Sequence, residues 1–181
     1  MNKKDEAFRI LIVDDNREIR TILEEYLREE GCVAEGAGGG KEALEKYREA
    51  PFDLVITDLN MPGMTGIELI REIAGSGGMT EFIIITGYAS LDSAIESVKA
   101  GAFDYLVKPF RIEELMVVIR NAGDKIMLKK ANGQLFDKLK NFYVEISKYR
   151  QWLNDEQVSR LVDKKLEDIA AAARSLESAE G

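Results

Sequence analysis

The chain has 181 residues, of which 45% are hydrophobic and 32% are charged, and its formal net charge at pH 7 is −8. This length and composition fit one ordinary hydrophobic core with a short appendage. No apolar run approaches the roughly 20 residues of a membrane-spanning helix, and the start MNKKDEAF lacks the apolar segment of a secretory signal. We therefore expect a cytoplasmic protein without membrane contact, and its acidic balance argues against direct nucleic-acid binding.

The chain contains no histidine and a single cysteine, Cys32. Without histidine, Ser/His and Cys/His catalysis, imidazole metal ligands and a phosphohistidine on this chain are excluded. One cysteine forms neither an intramolecular disulfide nor a thiolate cluster, so a plain buried thiol is the simplest role for Cys32.

Short apolar runs alternate with segments of helical spacing along the first two thirds of the chain. The predicted strands are 8–13, 32–35, 54–57, 82–86 and 104–107, and the predicted helices are 16–30, 40–49, 65–74, 91–100 and 111–121. Asn16, Thr65 and Ser90 stand before helices as capping residues. Strands that are apolar on both faces and separated by helices predict an α/β fold with a doubly wound, five-stranded parallel sheet.

Polar residues stand where four of these strands end. They are Asp14 and Asp15 after the first strand, Asp58 after the third, Thr86 after the fourth, and Lys108 followed by Pro109 after the fifth. Ligand sites of such sheets lie beyond the carboxyl ends of the strands, so we expect these side chains to converge. Taken alone, each of these residues could simply cap a helix, end a strand, expose an amine at the surface or form a turn. Only their convergence at one edge of the sheet indicates a functional site.

The expected cluster has a specific chemistry. Three carboxylates placed together repel one another unless a cation lies among them, and hard oxygen ligands favour Mg²⁺, which usually works beside a phosphoryl group. Asp58 is then a candidate nucleophile whose carboxylate attacks phosphorus to give an acyl phosphate. The metal ion and Lys108 would neutralise the developing charge.

Four segments, LIVDDN (11–16), TDLNMPGMTGIELI (57–70), ITGYAS (85–90) and FDYLVKPF (103–110), resemble the receiver domain of bacterial two-component response regulators. The resemblance covers residues 8–121 and implies a receiver at 1–122 with the flavodoxin-like strand order 2-1-3-4-5. It also implies that Asp58 is the phosphoacceptor and binds Mg²⁺ directly together with Asp15, that Asp14 acts mostly through water, and that Asn60 offers its backbone carbonyl.

The resemblance further implies a conformational switch. Thr86 swings to the phosphoryl group, and Tyr105 turns inward to fill the vacated space; without the resemblance, Tyr105 is simply a half-buried strand aromatic. Chemistry at Asp58 then repacks the face of helix 4, strand 5 and helix 5 as a population shift. Asn60 and Tyr88 are expected to tune hydrolysis, with Tyr88 either shielding the acyl phosphate or serving as an ordinary loop aromatic.

Because this chain has no histidine, the phosphoryl donor must act in trans, as a histidine kinase, a histidine phosphotransfer protein or a small phosphodonor. The protein is then not an enzyme, since it catalyses only its own phosphorylation and dephosphorylation. Haloacid-dehalogenase-like phosphatases also use a nucleophilic aspartate with Mg²⁺, but they need a second acid two residues on, where this chain has Asn60. The glycine-rich loops 36–40 and 75–81 lack GK[ST], which indicates turns and not phosphate cradles.

Residues 123–181 form a predicted helical extension, with a short coiled-coil-like helix at 124–153 and a second helix at 155–177. The seam of the first helix comprises Leu135, Leu139, Phe142, Ile146, Tyr149 and Leu153, and further aromatic residues there are Phe136, Tyr143 and Trp152. Helices of this length do not bury their apolar stripes in isolation. They must pair with each other, the receiver, a second copy or a partner protein.

Several functions remain open at this point. One is a phosphorylation-gated adaptor that controls a partner or its own association, with a homodimer forming through the face of helix 4, strand 5 and helix 5 or through the C-terminal helices. Another is a stand-alone phosphorelay receiver that passes its phosphoryl group on. A third is a truncated piece of a longer regulator.

Overall fold

The computed structural model describes residues 8–149 and 155–177. Its central sheet has five parallel strands in the order β2-β1-β3-β4-β5. The strands are β1 Arg9–Val13, β2 Val33–Ala37, β3 Leu54–Asp58, β4 Glu81–Thr86 and β5 Asp104–Val107. The predicted fold class and strand order are therefore confirmed.

The helices in chain order are α1 Arg17–Glu29, α2 Gly40–Glu49, α3 Gly66–Ala74, α4 Leu91–Ala100, α5 Ile112–Tyr149 and α6 Asp155–Glu177. Three of them begin at the predicted caps, because a side-chain oxygen of Asn16, Thr65 or Ser90 accepts hydrogen bonds from backbone N–H groups of the first turn. Over the described residues, none of these helices combines the length and the apolar character that crossing a membrane requires.

Helices cover both faces of the sheet, which explains why its strands are apolar on both sides. On one face, Leu11, Val55 and Ile84 are buried with residues of α2 and α3. On the other face, Ile12, Ile56 and Ile83 are buried with residues of α1 and α5. This double cover fixes the strands and leaves their carboxyl ends as the edge where loops can build a site.

The glycine-rich segment 36–40 is not wholly the turn that was predicted. Gly36 and Ala37 continue β2 in register with Ile12 and Val13 of β1, and only the two following residues connect to α2. A Cβ on Gly36 would lie 1.9 Å from Oε1 of Glu24, so the side chain of this α1 residue lies over the strand position. The predicted strand was short because glycine is also typical of turns.

The prediction of separate helices at 111–121 and 124–153 is wrong, since a single helix, Ile112–Tyr149, runs through the intervening residues. The reason is that the apolar spacing continues: Leu115, Ile119, Ala122 and Ile126 are all buried on one face. Gly123 interrupts neither the helix nor this stripe, although glycine is a common stop signal.

The chain divides into two units, residues 1–126 and residues 127–181. In the second unit, α6 spans Asp155–Glu177, the same range that was predicted. Its Lys165 Nζ lies 3.5 Å from Oε2 of Glu145 on the distal part of α5, so these two helices contact each other. The seam residue Leu153 and the aromatic Trp152 lie outside the described residues.

Candidate functional site: an acidic cluster bridged by a lysine

Three carboxylates meet at the carboxyl edge of the sheet. Asp14 and Asp15 follow β1, and Asp58 is the last residue of β3. Because β1 and β3 are parallel neighbours, their ends lie side by side, and one carboxylate oxygen from each aspartate lies within 4.8 Å of the others. Asp14 is buried, Asp58 is partly buried and Asp15 is exposed, so the cluster opens to solvent on one side.

Lys108, which follows β5, joins two of these carboxylates. Its Nζ lies 2.7 Å from Oδ2 of Asp14 and 2.7 Å from Oδ2 of Asp58. Burial lowers the pKa of the Lys108 ammonium, but the hydrogen bonds and charge attraction of the two aspartates outweigh that effect and raise the pKa above its ordinary value. Lys108 is therefore a fixed positive charge at the cluster.

Backbone groups orient the other oxygens of the same two aspartates. Asn16 N–H donates to Oδ1 of Asp14 at 2.8 Å, and Asn60 N–H donates to Oδ1 of Asp58 at 3.1 Å. Each carboxylate thus has one oxygen on a backbone donor and the other on Lys108, an arrangement that restricts rotation of the side chain. Asn60 itself is exposed, and the metal-binding role of its carbonyl stays a prediction.

Thr86 is the last residue of β4, and Tyr88 and Pro109 lie in the loops after β4 and β5. Thr86 is fully buried, its Oγ1 accepts a hydrogen bond from Tyr88 N–H at 3.1 Å, and its carbonyl accepts from Lys108 N–H at 2.8 Å. The Lys108–Pro109 peptide bond is cis. The Tyr88 side chain is 80% exposed, so shielding of Asp58 by this ring stays a prediction.

Tyr105 lies on β5, with its hydroxyl 3.0 Å from Oγ of Ser93 in the first turn of α4. Its ring is half-buried. The residue therefore stands at the junction of β5 and α4, the face that the predicted switch would repack.

The residues present fit a bound Mg²⁺. Carboxylate oxygens of Asp14, Asp15 and Asp58 are hard ligands that already converge, and the exposed side of the cluster leaves room for the waters that this ion retains. Such a set suits Mg²⁺ better than zinc or copper, for which nitrogen and sulfur ligands are preferred.

The fold is an α/β fold with a five-stranded parallel sheet. At the carboxyl edge of this sheet lies a cluster of three aspartates whose carboxylates fit a bound metal ion. The response regulator receiver domain matches residues 10–120, so the chain belongs to that family. The resemblance noted in the sequence is thereby confirmed.

Curated relatives agree over the same region. The chain is 42% identical over 113 residues to the transcriptional regulatory protein ZraR of Klebsiella oxytoca and 35% identical over 122 residues to the regulatory protein AtoC of Escherichia coli. These matches cover 62% and 67% of this chain but only 26% of either relative. The chain thus spans about a quarter of the length of the curated relatives it matches.

Solved structures match at the level of the receiver. A receiver domain protein from Methanospirillum hungatei is 33% identical with a TM-score of 0.66, and the match covers 68% of this chain and 99% of that one. The response regulator TrrA from Thermotoga maritima, solved in complex with Mg²⁺ and BeF, is 38% identical to this chain, with a TM-score of 0.58. That match covers 63% of this chain and 97% of TrrA.

Two contacts of the site were not predicted from sequence. Arg20 Nη1 donates to the carbonyl oxygen of Asp14 at 2.5 Å, and Ser93 holds the Tyr105 hydroxyl. The first has a local signal, since Arg20 follows Asp14 by six residues and lies in the first turns of α1. The second joins two elements, so no spacing within one element reveals it.

Proposed function

We propose that this protein accepts a phosphoryl group on Asp58, in a Mg²⁺-dependent reaction, from a histidine kinase or a histidine phosphotransfer protein. The observation that carries the proposal is the Lys108 ammonium held 2.7 Å from both Asp58 and Asp14 beside a third carboxylate. The related TrrA was solved in complex with Mg²⁺ and BeF, which supports Mg²⁺-dependent chemistry in this family of domains.

In the proposed reaction, a carboxylate oxygen of Asp58 attacks phosphorus, an oxygen–phosphorus bond forms, and the bond to the donor's imidazole nitrogen breaks. Asp14, Asp15 and Asp58 would hold Mg²⁺, which supplies positive charge for the phosphoryl oxygens when it is bound. Lys108 adds a second positive charge, and the N–H of Asn60 holds the Asp58 carboxylate in one orientation. Donation in trans is required because the chain has no histidine.

The proposal includes a switch. Phosphorylation would draw Thr86 to the phosphoryl group and favour an inward Tyr105, which repacks α4, β5 and α5 and changes what that face binds. The output would be control of a partner protein or of self-association, either through this face or through the C-terminal helices. Direct nucleic-acid binding by this chain is not part of the proposal, and we expect the protein to act in the cytoplasm.

A labelling experiment with radioactive acetyl phosphate tests the assignment. We expect Mg²⁺-dependent, acid-stable and base-labile label on the wild-type chain and its loss in Asp58→Asn. Asp92→Asn, at an exposed aspartate of α4, is the matched control and should label normally. Label that persists in Asp58→Asn, or that ignores removal of Mg²⁺, would contradict the proposal.

Two further measurements separate the alternatives. Turnover of phosphomonoesters would indicate a haloacid-dehalogenase-like phosphatase, whereas we expect none, because Asn60 occupies the place of the second acid. The lifetime of the phosphorylated protein tests Tyr88: if its ring shields the acyl phosphate, Tyr88→Ala shortens the half-life. Transfer of the label from Asp58 to a histidine phosphotransfer protein would favour the phosphorelay role.

A further inference from the structure

Every polar atom of Asp14 has a hydrogen-bond partner. Its backbone N–H donates to the carbonyl oxygen of Ala37 at 3.3 Å, and its two carboxylate oxygens accept from Asn16 N–H and from Lys108 Nζ. Its backbone carbonyl accepts from Nη1 of Arg20 at 2.5 Å. Because Asp14 is buried, each of these partners stands in for water. Arg20 is the one side chain among them that the proposed reaction does not use.

The carbonyl that Arg20 binds belongs to the peptide unit that joins Asp14 to Asp15. A peptide unit is planar, so this carbonyl and the N–H of Asp15 turn together. Holding the carbonyl therefore fixes the direction in which the chain leaves Asp14 and the place from which Asp15 extends its carboxylate. Because β2 ends at Ala37, the strand ladder stops beside Asp14, and the Arg20 guanidinium supplies the next donor.

Glycines at the end of β2 and just after it leave space for the Arg20 side chain. A Cβ on Gly36 would lie 3.2 Å from Cδ of Arg20, and a Cβ on Gly38 would lie 3.9 Å from its Cζ. The half-buried Arg20 side chain thus lies along the backbone of residues 36–38 on its way to Asp14. The glycine-rich segment keeps this path open.

A second arginine of α1 provides an internal comparison. Arg28 donates through Nε and Nη2 to the carbonyl oxygen of Ala34 at 3.0 and 2.7 Å. Both arginines of this helix therefore bind a backbone carbonyl, but Ala34 lies near the start of β2, away from the carboxyl edge. Loss of either arginine removes one positive charge and one set of hydrogen bonds, and only loss of Arg20 releases a residue of the acidic cluster.

The charge of Arg20 has the wrong sign to attract a cation. A guanidinium beside a metal site repels Mg²⁺, so a role through charge alone predicts tighter Mg²⁺ binding once the guanidinium is removed. A role in orienting the aspartates predicts weaker binding, because their carboxylates are then no longer held in one arrangement. The sign of the change in Mg²⁺ affinity separates these two roles.

We propose that Arg20 is a positioning residue for the acidic cluster: by holding the carbonyl of Asp14, it keeps the carboxylates of Asp14 and Asp15 directed toward Asp58. The inference rests on the proposed function, in which these three carboxylates hold Mg²⁺. Arg20 acts through the peptide unit between the two aspartates and not on the phosphoryl group.

Calorimetric titration of the full chain with Mg²⁺ is the first test. Arg20→Ala should weaken Mg²⁺ binding about tenfold, the usual effect of losing a group that orients metal ligands. Arg28→Ala is the matched control and should bind Mg²⁺ as the wild type does. Circular dichroism checks that both variants keep their fold. Unchanged or tighter Mg²⁺ binding in Arg20→Ala, or an equal loss in both variants, overturns the proposal.

NMR of the metal-free chain tests the peptide unit itself. The Asp15 N–H belongs to the unit that Arg20 holds, so Arg20→Ala should lower its backbone order parameter, whereas Arg28→Ala should not. An Asp15 amide that does not respond to Arg20→Ala overturns the proposal, whether or not Mg²⁺ binds. A wild type that lacks Mg²⁺ affinity but whose Asp15 amide responds would instead contradict the proposed function and keep the role of Arg20 in orienting Asp15.

Discussion

The hydroxyl of Tyr105 lies 3.0 Å from Oγ of Ser93, so the aromatic residue of β5 is joined to the first turn of α4. Ser93 also accepts hydrogen bonds from the N–H and the hydroxyl of Ser90, the N-cap of that helix. The inward turn of Tyr105 that we propose for the phosphorylated state would break the bond to Ser93 and change the hydrogen bonding at the start of α4. On that proposal, the contact favours the unphosphorylated position of the ring.

Removing the contact should favour the activated form. Tyr105→Phe keeps the ring and deletes the hydroxyl, and the loss of one hydrogen bond, roughly 1 kcal/mol, should tighten the apparent affinity for beryllofluoride with Mg²⁺ about fivefold. Ser93→Ala should act in the same direction. The double variant should add little to either single change, because both remove the same bond. Titration followed by NMR measures the affinities, and a weaker affinity in Tyr105→Phe would contradict the role of this contact.

Lys108 gives a second prediction, about stability without metal. Replacing it by methionine leaves the carboxylates of Asp14 and Asp58 close together without their bridging cation. We expect Lys108→Met to lower the free energy of unfolding by about 1–3 kcal/mol in the absence of divalent ions. Mg²⁺ should then stabilise the variant more than the wild type, since the ion replaces the missing charge.

Chemical denaturation with and without Mg²⁺ measures both effects. Lys99→Gln, at an exposed lysine of α4, serves as the control for loss of a positive charge. An equal response of Lys108→Met and wild type to Mg²⁺ would show that Lys108 and the ion do not act on the same carboxylates.

Much of the site could be predicted from the sequence, because its residues lie at the carboxyl ends of the predicted strands. A carboxylate directly after β1 and another at the end of β3 must meet when the two strands are parallel neighbours, and Asp14 and Asp58 do so. The path of α5 was not predictable in the same way. Gly123 reads locally as a stop, and only the burial of Ala122 and Ile126 on the same face shows why the helix continues.

Contacts between distant elements account for the remaining differences. Gly36 reads as part of a loop until Glu24 of α1 is found over it, and the bond between Ser93 and Tyr105 joins two elements that no local pattern relates. The third residue of α4 is Ser93, whereas the third residue of the helix that Thr65 caps is Glu68. A serine at this position predicts a capping box less strongly than a glutamate does.

Gly66 gives a third prediction, because it lies directly against the backbone of Asp58. A Cβ at this position would be 2.3 Å from the Asp58 carbonyl oxygen, a contact that neither backbone can relieve by side-chain rotation. Gly66→Ala should therefore cost about 1–3 kcal/mol of stability and slow phosphorylation by displacing Asp58. Gly39→Ala is the control, since a Cβ there has no described neighbour within 4 Å. Similar unfolding midpoints and labelling rates for the two variants would refute this account.

Glu42 gives a prediction for pH. The Gly38 N–H donates to its carboxylate at 2.8 Å and, with Lys46 adding to the effect, lowers the pKa of Glu42 below its ordinary value despite some burial. A lowered pKa in the folded state means that the stabilisation is present above the unfolded-state pKa and is lost as pH falls through the folded-state pKa.

Glu42→Gln should accordingly be less stable than the wild type near neutral pH, by no more than about 1 kcal/mol because the side chain is half-exposed. The difference should shrink as pH falls below the ordinary glutamate pKa of roughly 4.3. Urea unfolding between pH 3 and 7 measures it, with Glu45→Gln on the same helix as the control. A stability difference between wild type and Glu42→Gln that grows on acidification would have the wrong sign for a carboxylate stabilised in its charged form. It would rule out the Gly38 hydrogen bond as the cause of that stability difference.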